Sequence, residues 1–89
     1  MDILTGQWII NEPLDFKRRE ILMITLEAAG VGIYEGTRMY SDSSFKYIGM
    51  NGINIDSWKL HPGMFSLRTV FTYDEIMKEL HKIIKNKRD

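Results

Sequence analysis

Residues 45–58 read FKYIGMNGINIDSW, and how this stretch folds decides the fold of the chain. Asn51-Gly52 sits between two β-prone arms. Asn-Gly supplies two residues that tolerate positive φ, so a type I′ turn there matches the twist of two paired strands. In the second arm Ile53 and Ile55 alternate with Asn54 and Asp56, which gives one dry face and one wet face. In the first arm Phe45 and Tyr47 share a face, and Lys46, Ile48 and Met50 take the other. Two outcomes follow. Either the aromatics pack beneath the helices, or they are exposed and mark a binding surface, as Tyr and Trp do at interface hot spots.

Working outward, the flanking segments supply the rest of a sheet and two helices. Trp8 and Ile10, interleaved with Gln7 and Ile9, suggest a short strand at about residues 5 to 10. Asn11 is a good helix N-cap and Pro13 suits a first turn, so a helix is expected over roughly 13–29. Leu14, Ile21, Leu22, Thr25, Leu26 and Ala29 form its apolar face. Met23 and Ile24 lie off that stripe and are assigned to a second contact. Gly30 stands where a helix ends in a left-handed residue.

A strand is expected from Val31 to Gly36, reaching toward Tyr40, then a polar turn at Ser41-Asp42-Ser43-Ser44. His61-Pro62-Gly63 reads as a loop and Ser66 to Phe71 as a last strand. Thr72-Tyr73-Asp74-Glu75 opens the second helix with a capping box, Thr72 at the N-cap and Glu75 three residues on. Phe71 and Ile76 take the staple positions. That helix is expected over about 73–85, with residues 85–89 frayed. The expected fold is α+β in the order β-α-β-β-β-α, an antiparallel sheet with both helices packed on one face.

The chain has 89 residues, which fits one domain spanning 1–89. With 44% hydrophobic and 27% charged residues, it has the composition of a folded domain. It contains no cysteine, so disulfide and thiolate-metal frameworks are excluded. Formal net charge is zero, which argues against a general nucleic-acid or membrane-surface binder. No segment has the length of a bilayer span or the pattern of a secretory signal, and the expected location is the cytoplasm.

Catalytic signals are absent from the sequence. His61 and His81 have neither HxH nor HExxH context, so no metal is expected. Glu35, Asp42, Asp56 and Asp74 carry carboxylates, but no spacing draws them together. The serines lack a nucleophile-elbow context, and the glycines of 30–36 lack the Lys-Ser/Thr of a phosphate loop. No cofactor is expected, and the chain reads as a non-enzyme.

The strings LEAAGVGIYEG, YIGMNGINIDSW and FTYDEIMKEL resemble small accessory proteins of tailed bacteriophages, over roughly residues 20–84. The resemblance implies an early, host-takeover or anti-defence protein that binds and inhibits a host or defence protein, in the host cytoplasm. Partner-binding residues are then expected among Tyr34, Tyr40, Tyr47 and Trp58, with a homodimer through an exposed sheet edge as a further possibility. An alternative is an oligomeric nucleotide-binding or sequestering protein, with Arg38 or Arg68 on phosphate and Tyr34 or Tyr40 on a base. A third reading is RNA binding by the basic clusters Lys17-Arg18-Arg19 and 82–88. From residue 13 the order resembles a double-stranded-RNA-binding domain, but Tyr73-Asp74-Glu75 puts carboxylates where that family presents lysines.

Overall fold

The computed structural model describes residues 3–31, 44, 46–51, 54–60, 63 and 68–88. Along the chain these form β1 (Gln7–Ile10), α1 (Phe16–Ala28), β2 (Tyr47–Asn51), β3 (Asn54–Trp58), β4 (Thr69–Phe71) and α2 (Tyr73–Arg88). The fold is α+β, but the sheet is mixed rather than antiparallel. Its spatial order is β3-β2-β1-β4, which is not that of a meander. β1 runs antiparallel to β2 and parallel to β4, so the first strand lies inside the sheet between two later segments. A strand covered on both faces reads as a continuous apolar run. Trp8, Ile9 and Ile10 are accordingly all fully buried.

The two arms pair as a hairpin, but the turn lies one residue later than Asn51-Gly52. Tyr47 pairs with Trp58, Gly49 with Asp56, and Asn51, the last residue of β2, with Asn54, leaving Gly52 and Ile53 as the two intervening residues. Asn51 is therefore a paired strand residue and not a turn residue, and Ile53 does not open the second strand. Gly52 and Ile53 lie outside the described residues, as do Phe45, His61, residues 64–67, the expected strand after Val31 and the polar turn at 41–43.

Side-chain alternation divides the sheet. Trp8, Ile10, Ile48 and Met50 enter one core with Leu14, Leu22, Met23, Leu26, Ile76, Met77 and Leu80, and Ile55 and Phe71 pack against it. Both helices therefore cover the same face. Trp8 is pinned there, its indole Nε1 donating to the Ile3 carbonyl at 2.8 Å.

The α1 boundaries correct the sequence reading. The N-cap is Asp15, not Asn11, and its carboxylate accepts from the Arg18 N–H at 2.8 Å. Pro13 precedes the helix. Asn11 instead donates its N–H to the Phe71 carbonyl, and Leu14 donates to that of Lys46, so these residues serve the sheet. Of the expected face, Leu22, Thr25, Leu26 and Ala29 are buried, but its margin differs. Met23 is fully buried, whereas Ile21 and Ile24 are exposed.

At its end α1 behaves as expected. Gly30 has φ of 106°; its N–H donates to Glu27 and that of Val31 to Leu26. This is the Schellman pattern, with the buried pair Val31 and Leu26 closing it.

The capping box of α2 is complete. The Glu75 N–H donates to Thr72 Oγ1 at 3.2 Å, and the Thr72 N–H donates to Glu75 Oε1 at 3.0 Å. Glu12, reaching from the loop after β1, accepts from the Tyr73 N–H as well. Thr72→Ala removes one arm of the box and is expected to cost about 1 kcal/mol, read as a small fall in chemical-denaturation midpoint with an unchanged slope.

α2 runs to Arg88, past the expected end near Lys85. The reason lies in α1. The Lys87 ammonium occupies the space a Cβ on Gly30 would take, next to the negative end of the α1 dipole. At the other end the Arg18 guanidinium lies 5.8 Å from the Tyr73 ring centroid. The two helices thus run side by side in the same direction, as their parallel strands β1 and β4 require.

Candidate functional site

The face of the sheet away from the helices carries Gln7 and Ile9 from β1, Tyr47 and Gly49 from β2, Asp56 and Trp58 from β3, and Val70 from β4. This follows from the registers, since partnered residues share a face. The first-arm aromatic Tyr47 therefore does not enter the core; Ile48 and Met50 do. Tyr47 thus lies on the face away from the helices rather than beneath them. Tyr47 and Trp58 are directly opposite one another across β2 and β3, both half-buried.

The middle of this face is not bare. Ile9 is fully buried although it stands outside the main core, and Gly49 is buried beside it. Arg68, immediately before β4, folds back over them. A Cβ on Gly49 would come within 3.1 Å of Arg68 Nη1 and 2.6 Å of the Trp8 carbonyl. Glycine is needed here to let the guanidinium lie against the sheet. What remains open is the Tyr47–Trp58 side and, at the opposite margin, Val70.

Arg68 has two engagements. Its Nη2 donates to Asp56 Oδ2 at 2.8 Å, and its guanidinium lies 5.0 Å from the Trp58 ring centroid. The Arg68 side chain is 9% exposed and that of Asp56 36%. Burial of the arginine raises the weight of the charge pair above that of an ordinary surface pair. A second guanidinium nitrogen, Nη1, is buried and has no hydrogen-bond partner among the described residues. A buried donor left so costs on the order of 1–3 kcal/mol, and an incoming oxygen acceptor would recover it.

No family model, curated protein or solved structure matches this chain. The site must therefore be read from its own chemistry. Tyr47 and Trp58, expected to bind a protein partner, and Arg68, expected to bind a phosphate in the alternative, fall in one place. Tyr34, Tyr40 and Arg38 lie outside the described residues. Asp56 was only one of several scattered carboxylates in the sequence; its pairing with Arg68 depends on β4 lying beyond β1, which no local spacing signals. Gly49 carried no signal apart from being a glycine within a strand.

The other sequence candidates separate. Asp74 and Glu75 stand in the first turn of α2, and His81 is exposed on the same helix. Among the described residues no group of three or more His, Asp or Glu could hold a metal ion, and no helix is long and apolar enough to cross a membrane. The basic cluster Lys17-Arg18-Arg19 is broken up. Arg19 is fully buried, its guanidinium 5.3 Å from the Phe16 ring centroid, and Arg18 turns to Tyr73. Such an arrangement offers no stripe of charge for a phosphate backbone.

Proposed function

We propose that the protein is a small non-enzymatic binding module that acts by stoichiometric contact with another protein, through the Tyr47–Trp58 side of its sheet. The carrying observation is that cross-strand pair, held half-buried on the face opposite the helices beside Arg68. A rigid aromatic surface with a charged, under-satisfied donor at its margin has the character of an interface anchor. The resemblance to phage accessory proteins supplies the role, inhibition of a host or defence protein.

The test compares the wild-type chain with Trp58→Ala and with Ile24→Ala, an exposed control on α1. Tagged protein retrieves a partner at a fixed molar ratio from bacterial extract, and affinity is then measured on the purified pair. Trp58→Ala is expected to weaken binding by at least about 2 kcal/mol, some thirty-fold, and Ile24→Ala to leave it unchanged. Full affinity and full biological effect in a folded Tyr47→Ala/Trp58→Ala protein would remove this reading.

One observation favours a second reading. The unpartnered Nη1 of Arg68 suits a phosphate oxygen, with Trp58 or Tyr47 against a base. A nucleotide that binds this way raises the melting temperature by mass action, and the rise disappears in Arg68→Gln. A flat response across a nucleotide panel excludes it.

A further inference from the structure

We infer that β3 is a dimerisation strand, which pairs antiparallel with β3 of a second copy of this chain to extend the sheet across a two-fold axis. The inference does not rest on the proposed binding function; it stands on the backbone of one strand.

Asn51 and Asn54 are partners across a two-residue connection, so they form the hydrogen-bonded pair that closes the hairpin. Hydrogen-bonded and non-hydrogen-bonded pairs then alternate along the ladder. The main-chain groups of Asn54, Asp56 and Trp58 point to β2, and those of Ile55 and Ser57 point away from it. β3 is the last strand on its side. Among the described residues nothing beyond β2 bonds to its main chain, and the side chain of Asp56 is engaged by Arg68.

An edge of this kind is ordinarily protected by lysine, proline, a bulge or shortness. β3 contains no lysine, proline or bulge; its one charge, Asp56, is drawn onto the sheet face by Arg68, and Lys59 lies just past its end. The strand spans five residues, NIDSW, in unbroken register with β2. The opposite edge, β4, is only three residues long and offers a poor template by comparison.

The side chains select the second copy and its register. Centred on Asp56, antiparallel pairing would set two carboxylates directly opposite each other, which is destabilising. Centred on Ile55, it would run into the hairpin tip. Centred on Ser57, it places Asp56 of each copy opposite Trp58 of the other, so each tryptophan gains a second carboxylate–arginine pair along its edge. On the helix-covered side the half-buried Ser57 meets its counterpart, and the half-buried Ile55 lies opposite Lys59 of the other copy, whose aliphatic stem covers it. The Tyr47–Trp58 surface then becomes one continuous strip shared by both copies.

The test is particle mass in solution at about 100 μM, well above the dissociation constant of a micromolar dimer. The wild-type chain is expected to sediment at twice its monomer mass of 10.4 kDa. Ser57→Pro removes an outward N–H while sparing the β2 ladder, a position where proline is tolerated. It is expected to sediment at the single-chain mass with unchanged far-ultraviolet dichroism.

A cysteine test covers the case in which Ser57→Pro misfolds. The natural chain has no cysteine, and a hydrogen-bonded antiparallel pair has Cα atoms about 5.5 Å apart, within disulfide range. Ser57→Cys is therefore expected to cross-link into a covalent dimer on mild oxidation, and Thr69→Cys on the β4 edge is not. A single-chain mass for the wild type, a two-chain mass for folded Ser57→Pro, or equal cross-linking of both cysteine variants would overturn the inference.

Discussion

Trp8→Ala is expected to bring the protein close to unfolding at room temperature. Trp8 is fully buried in the central strand and is the largest side chain in the core. Its removal takes away the burial of an indole and leaves a cavity that neighbouring strands cannot fill, at a cost of about 3–5 kcal/mol. It also frees the Ile3 carbonyl, which accepts from the indole N–H. A whole domain is stable by only about 5–15 kcal/mol, so from about a fifth of the total to nearly all of it is at stake. For a chain of this size the melting temperature is expected to fall by on the order of 20 °C. Trp8→Phe keeps the ring and loses the hydrogen bond, so it should fall between the two. A melting curve for Trp8→Ala within a few degrees of wild type would mean that Trp8 is not enclosed as described.

Gly49→Ala is the second large effect, and it arises from crowding. The new methyl group would stand 2.6 Å from the Trp8 carbonyl, a backbone atom held by pairing on both sides of β1. It would also press on Arg68 Nη1. Strand β2 must shift, and overpacking of this kind costs about 1–3 kcal/mol. Arg68 would be lifted from Trp58 at the same time, so the loss of stability should come with a change in Trp58 emission. Combining Gly49→Ala with Arg68→Ala separates the two sources. The arginine contact is relieved and the backbone contact is not, so the double variant should remain less stable than Arg68→Ala alone. Equal stability of those two would show that only the guanidinium was in the way.

The features legible in the sequence are those set within a few residues. The capping box at Thr72 and Glu75 and the Gly30 terminus are local backbone chemistry, and both are present. The pairing of the two arms was legible from their alternation about a glycine turn, although the turn falls at residues 52–53 and not at Asn51-Gly52. Pairing of β1 with β4 has no such signal, since Trp8 and Thr69 meet only through the rest of the fold. That one pairing turns an antiparallel sheet into a mixed one. It also explains the misplaced start of α1: Asn11 looks like a helix cap by residue type, but β4 claims its N–H, and Asp15 caps instead. Met23 inside and Ile21 outside follow from how α1 is turned toward the sheet and α2, which no local spacing signals.

The candidate site shows the same division. Tyr47 and Trp58 were recognisable because strand alternation and the hairpin register are short-range. Their neighbourhood with Arg68 was not, because it depends on where β4 lies. Arg19 stood in a run of three basic residues weighed as an RNA contact, yet it is fully buried. Charge type alone does not disclose which member of such a run faces inward.

The position of β1 between β2 and β4 bears on how the chain is made. On the ribosome Gln7–Ile10 emerges first, but one of its two flanking strands is supplied far downstream; Glu12 and Tyr73, which meet at that junction, are 61 residues apart. Synthesis proceeds at about 5–20 residues per second, so a greasy Trp-Ile-Ile segment waits for seconds without its final neighbour. A nascent chain halted before Thr69 should accordingly be a client of holdase chaperones, and emergence of β4 and α2 should be the step that lets it go.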